Sequence, residues 1–199
     1  MSRIMPHVLP LVFLIALWWL VVIIFDVPHF ILPAPDRVAL TLLTSLPLLG
    51  GHALTTGLEI ICGLMLGSAI GFSVACLIGD SKRLQKLTMP ALVISQALPV
   101  FAIAAILMLW LGYGFASKLA MTTLIVFFPV TASTLAGFRA FPTSWDTTFQ
   151  TLRPKASKLF WYVRLPLAIP YAMSGVRVAA SVAPIGAVVG EWVGSSSGL

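Results

Sequence analysis

Five apolar runs divide this sequence, at about Val8–Phe25, Ala53–Ile78, Met89–Trp110, Leu119–Phe138 and Leu167–Val193. Each approaches the ~20 residues that a helix needs to cross a bilayer core. No water reaches backbone N–H and C=O groups there, so a lone run satisfies them only by coiling into a helix. The fold class predicted is all-α, a polytopic membrane protein with about five transmembrane helices. Composition points the same way, since 59% of the 199 residues are hydrophobic and 9% charged, too little polar surface to keep a domain in water. Residues 1–199 read as a single transmembrane domain with no separate soluble part. Met1-Ser2-Arg3 precedes the first run, and no small-x-small cleavage site follows it, so an uncleaved first helix is expected.

The breaks between runs carry turn chemistry. Pro33 and Pro35 end the first span, and Asp36–Leu49 reads as an interfacial stretch that Pro47 and Gly50-Gly51 prevent from crossing. Gly79-Asp80-Ser81-Lys82-Arg83 forms a polar turn. Pro99, Pro129 and Pro184 each remove a backbone donor inside a span and permit a kink. Gly63, Gly67, Gly71, Ala75 and Gly79 recur at four-residue spacing, a small-residue face that admits a close neighbouring helix, within the chain or on a partner.

Net charge is +6, which in a soluble protein would suggest nucleic acid, but topology explains it here. With the N-terminus inside, Arg3, Lys82, Arg83, Lys86, Arg139, Arg153, Lys155, Lys158 and Arg164 share the cytoplasmic side, while Arg37 and Lys118 fall on the other. That bias predicts a multi-pass inner-membrane protein with a cytoplasmic N-terminus. Cys62 and Cys76 lie in one apolar run and read as buried thiols rather than a disulfide framework.

The sequence holds no G-x-x-x-x-G-K-[ST] phosphate loop, no His/Cys cluster at metal-ligand spacing, no Gly-x-Ser-x-Gly elbow and no paired acids in one loop. An enzyme is disfavoured; no catalytic residue, metal or cofactor is expected, and ATP chemistry would have to come from a partner. The segment 140–166 is the informative one. Phe149, Leu152, Ala156, Leu159, Phe160 and Val163 recur on one helical face, while Arg153, Lys155, Lys158 and Arg164 point elsewhere. Arg153-Pro154 should split this into a helix–turn–helix, with Pro154 in the first turn of the second helix. By composition alone, a basic amphipathic loop lying on anionic lipid is the alternative.

That segment resembles the cytoplasmic EAA loop of ABC-importer permeases, in which a Glu-Ala-Ala triplet precedes a glycine, and an Ile-x-Leu-Pro ends thirteen positions later. Val163-Arg164-Leu165-Pro166 matches the end; counting back puts Arg153 at the glycine and Thr147-Thr148-Phe149 at the triplet, which is lost here. Ile31-Leu32-Pro33-Ala34-Pro35, Trp110-Leu111-Gly112-Tyr113-Gly114, Phe127-Phe128-Pro129, Gly175-Val176-Arg177 and Gly190–Leu199 are similar, in order, to the branch importing taurine, sulfonates, nitrate and pyrimidine precursors. The resemblance implies a permease fold of six spans, the last following Leu199. It implies an ATPase docking on Thr147, Thr148, Phe149, Arg153, Pro154, Lys155, Ala156, Leu159, Leu165 and Pro166. It also implies a periplasmic solute-binding protein and a second permease copy, with a thiamine precursor of the hydroxymethylpyrimidine type, or a sulfonate- or nitrate-type anion, as solute.

Glu59, Arg177 and Glu191 lie within or near spans, where each charge costs roughly 2.5–3.5 kcal/mol unless it meets protein or water. They are pathway candidates, with a structural ion pair or a snorkelling side chain as the alternative. Arg177, the deepest, favours holding the fifth span to its neighbours. Ser95 and Gln96, one turn from Pro99, offer hydrogen bonds to a polar solute. An ion-coupled secondary carrier is the competing function; it calls for midplane coupling carboxylates and often an inverted repeat, neither clear in this sequence.

Overall fold

The computed structural model describes residues 5–79, 81–140, 145 and 154–194. Thr147, Thr148, Phe149 and Arg153, expected to dock an ATPase, lie outside the described residues. Among the described residues all regular structure is helical, as the apolar runs predict. Packing divides the chain into two units, 1–51 and 52–199.

In the first unit, α1 (Met5–Ile24) holds a short apolar stretch over Leu9–Ile24. A second helix, α2 (Pro35–Thr44), starts with proline in its first turn, where no donor is needed, and Asp36 complements its N-terminal dipole. No residue of α2 is buried, in keeping with an interfacial stretch.

The next helix overturns one boundary. α3 runs from Leu46 to Gly79, so Pro47 and Gly50-Gly51 do not interrupt it ahead of Ala53. Pro47 is the second residue of the helix, a position whose N–H would be unbonded anyway.

The third expected span, Met89–Trp110, is not one helix. It divides into α4 (Lys82–Ala97) and α5 (Val100–Leu111), bent by 93° at the break. Leu98 is extended at φ −71, ψ 133, the region into which a following proline forces its neighbour, and Pro99 caps α5 instead of kinking a continuous helix. Gly112 and Gly114, at φ +77 and +147, then turn the chain into α6 (Phe115–Arg139) in conformations that a side chain would strain.

A second difference concerns the latter half of the expected helix–turn–helix, whose first half falls largely outside the described residues. Past Pro154 the chain forms α7 (Ala156–Leu159), a π segment (Phe160–Arg164) and α8 (Leu165–Gly194), and the helix is continuous from Ser157 to Val193. The helix after Pro154 is thus one body with the fifth span. Pro166 cannot donate to the carbonyl four residues back, and the ladder widens just before it, with Leu165 N–H reaching the Phe160 carbonyl. Among the described residues three helices are long and apolar enough to cross a membrane, α3, α6 and Ser157–Val193, and the bent α4–α5 pair makes a fourth if counted as one span.

Within the second unit α6 lies between α3 and α8, and small residues set the spacing on both sides. A Cβ on Gly67 would stand 2.7 Å from the Thr123 carbonyl oxygen, and one on Gly71 would stand 2.8 Å from that of Phe127. The small-residue face of α3 therefore packs inside the chain. On α8, Gly175 lies against the Pro129 carbonyl, Gly186 against Thr122 Cα and Gly190 against Lys118 Cα. With Ala168, Ala172, Ala179 and Ala183, all buried, they form a second small-residue face. In lipid such faces hold helices together by close van der Waals contact, because burial from water no longer drives association.

Candidate functional site

The polar residues of the second unit gather at three levels along α6. At its N-terminal end Lys118 Nζ stands 3.0 Å from Glu59 Oε1 of α3, with Lys118 at 2% and Glu59 at 0% exposure. Thr56 of α3 donates at 2.6 Å to Glu191 Oε1 of α8, and Glu191 is also within electrostatic reach of Glu59. Three helices thus meet through two carboxylates, one ammonium and one hydroxyl. Lys118 is not the loop charge that the span boundary at Leu119 implies; α6 begins at Phe115, which carries Lys118 inside. The cue in the sequence is Gly112-Tyr113-Gly114, a turn that starts the helix one turn earlier.

At the opposite end Gln85 is buried in α4 and uses both halves of its amide. Its Nε2 donates at 2.7 Å to the Gly79 carbonyl closing α3, and its Oε1 accepts at 2.9 Å from Nε of Arg139, the last residue of α6. Here too the charge pattern hides the residue, since Gln85 lies between Arg83 and Lys86 in a polar turn. Beside it Phe138 stacks on Phe160 of the π segment, ring centroids 5.7 Å apart at 16°. Phe138 belongs to a cluster with Ala75, Ile78, Leu135 and Ala168, against which Met89, Leu92, Phe160 and Leu165 also pack. Of the expected docking residues that are described, Pro154 precedes the helix, Ala156 begins it, and Leu159 and Leu165 are half-buried. Pro166 and Lys155 are exposed, as are Lys158, Trp161 and Tyr162.

Between the two ends, where α4 and α5 part, lies a cavity of about 400 Å³ lined by Ser95, Gln96, Phe128, Pro129, Val178 and Val182 among others. Ser95 gives its hydroxyl to the Leu92 carbonyl of its own helix at 2.7 Å, which leaves Gln96 as the lining amide. Arg177, beside Val178, is exposed near the middle of the Ser157–Val193 helix and makes no hydrogen bond or ion pair with the described residues. It does not tie α8 to the other described helices; the small residues do. The structure therefore brings Glu59 and Glu191 together, sets Ser95 and Gln96 on the cavity, and leaves Arg177 apart from both groups. Among the described residues no group of His, Cys, Asp and Glu has the arrangement of a metal site.

A bundle of apolar helices cut by a proline break, with polar groups at its ends and a cavity between, is the architecture of a membrane transport component. Residues 63–199 match the family described as "Binding-protein-dependent transport system inner membrane component", and the chain belongs to that family. It is 48% identical over 186 residues to a probable ABC transporter permease protein of Haemophilus influenzae, covering 94% of this chain and 76% of that one. The formylaminopyrimidine transport permease protein ThiX of Halalkalibacterium halodurans is 35% identical, over 85% of this chain and 68% of its own. The riboflavin transport system permease protein RibX of Chloroflexus aurantiacus is 34% identical, over 95% and 71%. The chain is a multi-pass inner-membrane transport component of the ABC-importer permease class.

Proposed function

We propose that this chain is the permease subunit of an ABC importer, moving a small polar solute inward while a separate ATPase supplies the energy. The observation that carries the reading is the form of the docking segment. Its second half is rigidly joined to a span, anchored inward by Phe160 and Leu165, and turns Lys155, Lys158, Trp161 and Tyr162 outward. A lipid-bound loop needs no such anchorage, whereas a surface that transmits force does. In this reading 140–166 faces the cytoplasm, as does the N-terminus, and a periplasmic binding protein delivers the solute to the other side.

A second copy completes the path. An arginine facing lipid at mid-span costs roughly 2.5–3.5 kcal/mol on insertion scales, so the exposed face of α8 around Arg177 is assigned to water or protein, and a homodimer supplies both. Gln96 lines the route with Ser95, while Glu59 and Glu191 serve to hold the helices. For the solute we favour a pyrimidine precursor of thiamine, on the strength of the ThiX relative. The RibX relative, almost equally similar, is named for riboflavin, so overall identity does not rank the two solutes.

Co-purification from native membranes tests the reading: an ATPase should accompany the chain, and Lys155→Glu with Lys158→Glu should abolish both its recovery and uptake. Uptake unchanged in the double reversal sinks the docking assignment. Competition of labelled hydroxymethylpyrimidine uptake by formylaminopyrimidine and by riboflavin separates the solutes.

A further inference from the structure

The cavity and the docking segment lie at different levels of the bundle, and one buried side chain connects them. The docking helix reaches the core through Phe160, which stacks on Phe138. Next to Phe138 is Arg139, whose Nε donates to Gln85. Gln85 in turn holds the end of α3 through the Gly79 carbonyl, and Gly79 packs directly on the Phe138 ring. From Gln85, α4 runs to Ala97 with Pro90 inside it, carrying Ser95 and Gln96 to the cavity, and stops at the Leu98-Pro99 break. A helix pinned at one end and bounded by a 93° break at the other has the mechanical form of a lever.

We propose that Gln85 is a positioning residue that carries movement of the docking segment to the break between α4 and α5, coupling ATP hydrolysis to opening of the cavity. This rests on the docking reading above. The chemistry suits the task. Nε2 and Oε1 are engaged with two different helices, so neither helix end can shift without drawing α4 with it or breaking a hydrogen bond, buried at Gly79 and partly buried at Arg139. A leucine of similar volume keeps the packing and loses both links. Glutamate retains the acceptor for Arg139, now as a charge pair, and sets a second acceptor against the Gly79 carbonyl in place of the donor.

The test uses the whole transporter, with its ATPase and binding protein, in proteoliposomes, and reads solute moved per ATP hydrolysed. Gln85→Leu should bind the ATPase in wild-type amount and still hydrolyse ATP, while transport per ATP falls by about fivefold or more, within the range of couplings carried through packed networks. Gln85→Glu should lie between the two. Arg139→Met, which leaves the Gly79 bond intact, should lower the ratio less than Gln85→Leu. An unchanged ratio in Gln85→Leu, or hydrolysis and transport falling in parallel, overturns the proposal. If Gln85→Leu does not assemble, Arg139→Met decides by the same ratio; if neither assembles, the clasp is a folding element and the proposal is wrong. Failure of the wild-type chain to retain an ATPase is a different result, which removes the docking reading and the lever with it.

Discussion

The two ends of α6 solve the same problem by different means. At the Lys118 end, three helices are joined by a buried ammonium–carboxylate pair and a hydroxyl–carboxylate hydrogen bond. At the Arg139 end, three helices are joined by a neutral amide at the edge of the bundle. A buried ion pair gives little net stability but is severe when one member is lost, because the other is left uncompensated. A neutral amide leaves no unpaired charge behind when its bonds shift. On the coupling proposed for Gln85, the charged end stays closed while the amide end rearranges in each cycle.

The largest effect should follow from breaking the charged end. Lys118→Met leaves Glu59 buried opposite Glu191 with no cation, a loss of about 3–5 kcal/mol, and should appear as a collapse of monodisperse protein in detergent. Adding Glu59→Gln to that variant should recover most of the loss, and a double variant no better than the single one would mean that the lysine acts through something other than Glu59. Next in size is Gly67→Val, which drives new carbon into the Thr123 carbonyl and Val126 and should cost about 2 kcal/mol by overpacking. Gly57→Ala, with nothing within 4 Å of its Cβ position, is the neutral control in the same melting series. Thr56→Val removes the 2.6 Å bond to Glu191 and should cost about 1.7 kcal/mol, the upper end of interhelical hydrogen bonds in membranes.

Different parts of this molecule were legible in the sequence for different reasons. Apolar length reports a span directly, so the expected span Leu119–Phe138 is close to α6, and Leu167–Val193 is the body of α8. Proline is ambiguous: Pro129 and Pro184 stay inside helices while Pro99 ends one, and nothing local separates the cases. What decides is whether the preceding residue turns extended, as Leu98 does, and that depends on what the two halves pack against. Glu59 and Glu191 stand out because charge inside an apolar run must be explained, but their partners come from other helices and carry no local mark. Lys118 is hidden by a boundary error of one turn, and Gln85 by its polar neighbours. The small face of α8, Ala168, Ala172, Gly175, Ala179, Ala183, Gly186 and Gly190, has the same sort of spacing as that of α3 and was open to the same reading.

The smallest stability effect, and the one that sharpens the contrast most, is expected at Arg139. Arg139 is exposed, so replacing it by methionine removes one partly solvated hydrogen bond from Gln85 and should cost no more than about 1 kcal/mol. The buried Gln85 keeps its bond to Gly79, so its amide is not left wholly unsatisfied. In detergent, Arg139→Met should therefore melt within a few degrees of the parent, far above Lys118→Met. If it melts as low as Lys118→Met, the amide end is as rigid a lock as the charged one, and the division into a fixed end and a moving end is lost. If it melts close to the parent while transport per ATP falls, stability and coupling sit at opposite ends of one helix.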